Sequence, residues 1–129
     1  MMTDRAAALS KLVVGDIFHA QSPDGASLVC LVTAVDDGAI YARRIHTQDH
    51  VRFDRTTGLR IPSGRTRIDC VTPFPPDIHD IFLKLDRKYS EHAQLFRRGL
   101  EPEAEQRKLT AEERRANLSI DDHVAANRI

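Results

Sequence analysis

Tryptophan is absent from the sequence, and tyrosine and phenylalanine together supply only 5% of it. Few rings are therefore on hand for base stacking or an aromatic cage, and valine, isoleucine and leucine must build the core. Cysteine occurs twice, at Cys30 and Cys70, each within an apolar run. Two such residues make neither a disulfide framework nor a Cys-x-x-Cys motif; they read as reduced, buried thiols of a cytoplasmic protein. No apolar run approaches the roughly 20 residues that cross a bilayer. The opening residues, MMTDRAAALSK, lack the apolar stretch and cleavage site of a secretory signal. Net charge is missing as well, since 19 basic side chains face 19 acidic ones. No overall field steers nucleic acid or an anionic membrane towards the chain, so any electrostatic function is local.

Motifs of chemistry are missing too. The six glycines stand singly, which leaves neither a phosphate-cradling P-loop nor a dinucleotide fingerprint. No serine lies in a G-x-S-x-G turn. Apolar surroundings raise a thiol pKa, so Cys30 and Cys70 are expected to be inert. The sequence thus assigns no catalytic residue, no cofactor, no metal and no small-molecule ligand, and an enzyme is disfavoured. An enzymatic site would have to be assembled from loops around His46, Asp49 and His50. Two histidines four apart meet on a helix, but this stretch reads as strand, turn, strand, where that spacing does not bring both rings to one ion.

What remains is one domain of 129 residues, 41% hydrophobic and 29% charged, an ordinary globular composition. Residues 1–11 read as a frayed lead-in, 12–99 as the domain, and 100–129 as a charged tail. Five strands are predicted near 16–20, 26–35, 39–47, 50–54 and 66–72, each bounded by turn formers such as Ser22-Pro23-Asp24-Gly25 and Asp36-Asp37-Gly38. The second is apolar at both parities (Leu28, Cys30, Val32 against Val29, Leu31, Val35) and should be central, covered on both faces. A bulge near Arg43-Arg44 would bring Ile45 into line with Ile40 and Ala42, and the fifth strand should point Ile68 and Cys70 to one side. Short connections favour a meander. The Val14-Gly15-Asp16-Ile17-Phe18 opening resembles the entry to SH3-like barrels, a resemblance of fold that carries no function. The expected class is α+β: a small five-stranded antiparallel curled sheet or SH3-like β-barrel, then one amphipathic helix and a short-helical or disordered tail.

The helix is predicted over about 76–98, with Ile78, Ile81, Phe82, Leu85, Tyr89 and Phe96 on one stripe, Pro76 in its first turn and Gly99 as its stop. That stripe most simply covers the sheet; Leu95 and Phe96, near its end, are candidates for a protein partner or self-association. The tail carries seven acidic and five basic residues. Thr110-Ala111-Glu112-Glu113 is a capping box that opens a short helix to about Leu118, and Ser119 with Asp122 suits a further turn. Neither is expected to bury much, and order in the tail is expected only against a partner, a second copy or the domain itself.

Charge is uneven in one place. Between Arg43 and Arg67 seven arginines (Arg43, Arg44, Arg52, Arg55, Arg60, Arg65 and Arg67) face two acids, Asp49 and Asp54. On adjacent strands they would form a stripe for phosphates, or only a solvated face that discourages edge pairing. The resulting expectation is a small non-enzymatic binding or adaptor module with no membrane contact. The alternatives are a nucleic-acid-binding module using this arginine-rich face and, less favoured, a loop-built enzyme.

Overall fold

Turn chemistry sets the strand pairings. In the computed structural model, which describes residues 4–62 and 64–129, the Gly25 N–H donates to the Ser22 carbonyl at 3.0 Å and closes the first hairpin. In the second hairpin, Asp36 Oδ1 accepts from the N–H groups of Gly38 (2.9 Å) and Ala39 (2.7 Å). The strands are β1 Ile17–Gln21, β2 Ser27–Val35, β3 Ala39–Arg44, β4 His50–Asp54 and β5 Arg67–Cys70, all pairing antiparallel in the order β4-β3-β2-β1-β5. The meander therefore holds for four strands, and β5 returns to β1 instead of extending past β4. Residues 58–61 lie across the remaining gap. The Ile68 N–H donates to the Gly58 carbonyl at 2.9 Å, the Ile61 N–H donates to that of Arg52 at 2.8 Å, and single bridges pair Phe53 with Arg60 and Leu59 with Arg67. The sheet is a curled half-barrel.

As its sequence predicts, β2 is covered on both faces. Leu28, Cys30 and Val32 line the inside of the curl with Phe18, Ile40 and Phe53, while Val29 and Leu31 face the helices. The Phe18 and Phe53 rings meet edge to face at 5.4 Å. Two bulges break the alternation, neither at Arg43-Arg44. In β2, Val32 pairs with Ala42 and Ala34 with Tyr41, so Thr33 is the extra residue and Val35 turns back to the inner core. In β5, Ala20 pairs with Ile68 and His19 with Cys70, so Asp69 is the extra residue. Ile68 consequently packs inside the curl and Cys70 outside it, although their spacing predicted one side. Ile45 needs no bulge: it keeps its odd parity and is fully buried on the helix side.

The first helix, α1 (Asp4–Ser10), corrects the reading of a frayed lead-in. Ala6 and Leu9 are buried, and Leu9 packs into the inner core. Packing supplies what seven residues lack as an isolated helix. The second, α2 (Pro76–Arg97), has proline in its first turn and lays Ile78, Ile81, Phe82 and Leu85 on the outer face of the sheet. It stops in a Schellman motif: Gly99 takes φ +74°, its N–H donates to the Phe96 carbonyl, and the Leu100 N–H donates to that of Leu95.

After the short α3 (Ala104–Arg107), the box at Thr110 opens α4 (Ala111–Asn127), with the Thr110 hydroxyl accepting from the Glu113 N–H at 3.2 Å. This helix does not stop near Leu118. The Ser119 hydroxyl caps no new turn; it donates back to the Ala116 carbonyl at 2.8 Å. Ala116, Ile120 and Val124 are buried against α2, and Lys88 Nζ joins the two helices by donating to the Lys108 carbonyl at 2.7 Å and to Glu113 at 3.2 Å. The tail is thus ordered on the domain itself. No helix among the described residues is long and apolar enough to cross a membrane.

Leu9→Ala and Ile120→Ala are each expected to lower the unfolding free energy by about 3 kcal/mol in urea titrations followed by circular dichroism. Losses below about 0.5 kcal/mol would mean that these helices are dispensable surface.

Candidate anion-binding groove

The chain's two described ends meet beside β5. Arg65 and Arg67 flank the buried Thr66 and are themselves exposed. At the bulge, Asp69 is 8% exposed and His19 3% exposed, and Asp69 Oδ1 lies 2.5 Å from His19 Nδ1. The Asp69 carbonyl accepts from the Ile129 N–H at 2.8 Å. From α1, Arg5 donates through Nη1 to the Ile68 carbonyl at 2.8 Å and through Nη2 to that of Ile129 at 3.0 Å. From the end of α4, Arg128 places Nε 3.5 Å from Asp69 Oδ2. Arg5, Arg65, Arg67, Asp69, Arg128 and Ile129, with Gln21, Ser22, Pro23 and Gly25 of the first hairpin, line an open groove of about 420 Å³. Four guanidinium groups (Arg5, Arg65, Arg67 and Arg128) line it with one side-chain carboxylate, that of Asp69. Burial, and then the charge of Arg67, lower the Arg5 pKa against the opposing pull of Asp69. A guanidinium so placed remains charged at neutral pH.

The seven arginines singled out in the sequence are divided among several places. Arg65 and Arg67 enter this groove, and among the described residues no hydrogen bond or ion pair holds the guanidinium of either one. Arg43 is committed to α2: Nε and Nη2 donate to the two carboxylate oxygens of Asp86 at 3.0 and 2.7 Å. Arg55 is a brace, donating to the carbonyls of Asp36 (2.8 Å), Ser10 (3.0 Å) and Leu12 (3.4 Å), where it secures the end of α1. Arg44 pairs in register with Cys30 on β2, and Arg60 bridges Phe53 of β4. Arg52 stands exposed on β4, paired in register with Tyr41.

The other candidates do not converge on chemistry. The His46 ring meets that of Tyr89 at 5.5 Å in a tilted contact; burial and then Arg44 lower its pKa, against a hydrogen bond with Asn117. Its neighbours Asp49 and His50 are exposed in the turn and on β4. Among the described residues no cluster of three histidine, cysteine or acidic side chains is poised for a metal. Phe96 is 60% exposed and Leu95 half-buried. Both thiols are free and buried, on opposite sides of the sheet. Burial pushes Cys30 up to about 12, over the opposing charges of Arg44 and Arg60, and burial likewise raises Cys70. Sequence reasoning missed Arg5, Arg128, His19 and Asp69, because three come from the termini and a strand interior, and Asp69 depends on a bulge.

Two outcomes check this geometry. Iodoacetamide at pH 8 should modify neither thiol in the native protein and both in urea; rapid native labelling would contradict the burial. Burial alone would raise the Asp86 carboxyl, but hydrogen bonds from Arg43 and Gln48, with the Arg43 charge, hold it below the usual carboxylate range. The lowered native value makes its contribution complete above about pH 5 and lost as pH falls through that value. Asp86→Asn should therefore cost about 2 kcal/mol at pH 7 and flatten the acid limb of the stability curve. Compared with family models, curated proteins and solved structures, the chain matches none.

Proposed function

We propose that the protein is a non-enzymatic binding module that takes an anionic, phosphate-bearing ligand in the groove beside β5. The observation that carries this reading is the convergence of Arg5, Arg65, Arg67 and Arg128 from three separate stretches of chain on one concavity. Arg5 is fixed by two main-chain carbonyls and so is oriented before any ligand arrives. Arg65 and Arg67 are exposed on the rim, where a planar guanidinium can meet phosphate oxygens through two N–H groups at once.

A binding role fits better than catalysis. Both thiols are buried, and His19 lies behind Asp69 without lining the groove, so the closest His–Asp pair offers no exposed base. A discrete ligand also fits better than a nucleic-acid strand. Recognition of a strand calls for a continuous basic track, whereas Arg43 and Arg55 are consumed by internal partners that interrupt one here.

Calorimetric titration with inorganic pyrophosphate at low salt tests the proposal. The wild-type protein should bind, and the Arg65→Ala, Arg67→Ala double variant should bind at least about tenfold more weakly while keeping its circular dichroism spectrum. Arg52→Ala, outside the groove, should bind as the wild type does. Absence of binding, or equal loss in Arg52→Ala, would refute the groove as the site. Tight binding of labelled oligonucleotides whose salt dependence is unchanged in the double variant would move the function to another surface.

A further inference from the structure

We infer that the groove selects phosphomonoesters carrying a hydroxyl or amino donor close to the phosphate, with that donor received by Asp69 Oδ2; this rests on the anion-binding reading above. Asp69 is 8% exposed and lines the groove. Its Oδ1 is occupied by His19 Nδ1, but its Oδ2 is buried without a hydrogen-bond partner among the described residues. Arg128 Nε stands off at 3.5 Å, an ion-pair distance that completes no hydrogen bond; its side chain is 55% exposed and free to swing aside, the movement a ligand needs to reach the buried oxygen. A buried carboxylate oxygen left in this state is costly, and such groups in folded proteins ordinarily find a donor. An ionised carboxylate is an acceptor only, so whatever satisfies Oδ2 must bring the N–H or O–H itself.

Charge orders the ligand. A phosphate placed against Asp69 would meet a like charge, whereas Arg65 and Arg67 are unmatched and exposed at the rim. The phosphate therefore belongs at the rim and the donor-bearing portion at the floor. A volume of about 420 Å³ lies within the range of roughly 300–1,000 Å³ typical of small-ligand pockets. A bare phosphate, or the phosphodiester backbone of DNA with no hydroxyl beside its phosphates, satisfies the arginines and leaves Oδ2 unpaired. A phosphorylated polyol or amine satisfies both.

The test compares glycerol 3-phosphate with propyl phosphate, which match in charge and chain length and differ by two hydroxyls. By calorimetry, the wild-type protein should prefer glycerol 3-phosphate by about tenfold or more, the gain expected of a hydrogen bond to a charged acceptor. Asp69→Asn, which retains an oxygen to accept from His19, should reduce that preference to about twofold and leave propyl phosphate bound at least as well as before. In the wild-type protein, the Asp69 carboxyl carbon resonance should shift with glycerol 3-phosphate and stay fixed with propyl phosphate, a readout that stands even if the variant does not fold. Equal affinity for the two ligands would overturn the inference and leave the anion-binding reading intact. A preference that survives in Asp69→Asn, or a carboxyl resonance indifferent to both ligands, would overturn the assignment to Asp69. If neither ligand nor pyrophosphate binds, both fail together.

Discussion

Asp69 occupies the bulge of β5, with one carboxylate oxygen 2.5 Å from Nδ1 of the buried His19 and its main-chain oxygen accepting from Ile129. Because a bulge inserts one unpaired residue, side chains before and after it change faces. That change sends Ile68 into the half-barrel and Cys70 to the helix side, so one four-residue strand serves two cores. The Ile68 carbonyl is left to receive Arg5 from α1, and the Asp69 carbonyl to receive the residue after Arg128. A regular β5 would keep the Ile68 carbonyl on its outer edge but turn that of Asp69 towards β1, and the second attachment would be lost. The groove is thus a consequence of the same irregularity that lets the two hydrophobic layers share an edge strand.

The layers themselves follow from β2. A strand apolar on both faces cannot leave either in water without losing roughly 25 cal/mol for each Å² of apolar surface exposed. The curl of the sheet covers one face, and α2 and α4 cover the other. Polar pins fix the helices at both ends of this second layer. Arg43 and Gln48 hold Asp86 of α2, Lys88 joins α2 to the start of α4, and the His123 ring lies on Phe74 at 4.4 Å with Nε2 2.9 Å from the Thr72 carbonyl. Gln48 achieves its contacts from a positive φ of 65°, an uncommon conformation for a side chain other than glycine or asparagine. Its amide donates to both the Ile45 carbonyl and Asp86, which holds the turn in place.

Strand positions, the central place of β2, the extent of α2 and its glycine stop were legible because each rests on local pattern: parity, turn residues, a broad apolar stripe. Helix α4 was only half legible. Its box at Thr110 is a local signal, but Ala116, Ile120 and Val124 make a stripe one residue wide among charges, and nothing nearby shows that α2 has room for it. Helix α1 was misread because seven residues gain their order from distant contacts: Leu9 in the inner core, Arg5 at β5 and Arg55 at its last residue. The bulges escaped detection for a similar reason: Thr33 and Asp69 belong to no distinctive composition, and the register that creates them is set by partner strands distant in sequence. Of the arginine cluster, the sequence located the charge but not its pairing. Only Arg65 and Arg67 reach the groove, and Arg5 and Arg128 join them through the topology that returns β5 to β1.

Neutrality of the whole chain is compatible with a strongly positive groove once the pairing of charges is followed. The acids that balance the sum are placed elsewhere: Asp86 beside Arg43, Glu113 beside Lys88, Asp77 beside Arg115, Glu105 beside Lys108. Several of these pairs are exposed and contribute little to stability, and none of these acids lines the groove. At physiological ionic strength a charge is screened over about 8 Å, so a ligand entering the groove responds chiefly to Arg5, Arg65, Arg67, Arg128 and Asp69, and to Asp24 in the adjoining turn. The sum over the sequence erases the asymmetry on which recognition would depend. Distribution of partners, rather than abundance of arginine, therefore decides where this fold presents a binding charge.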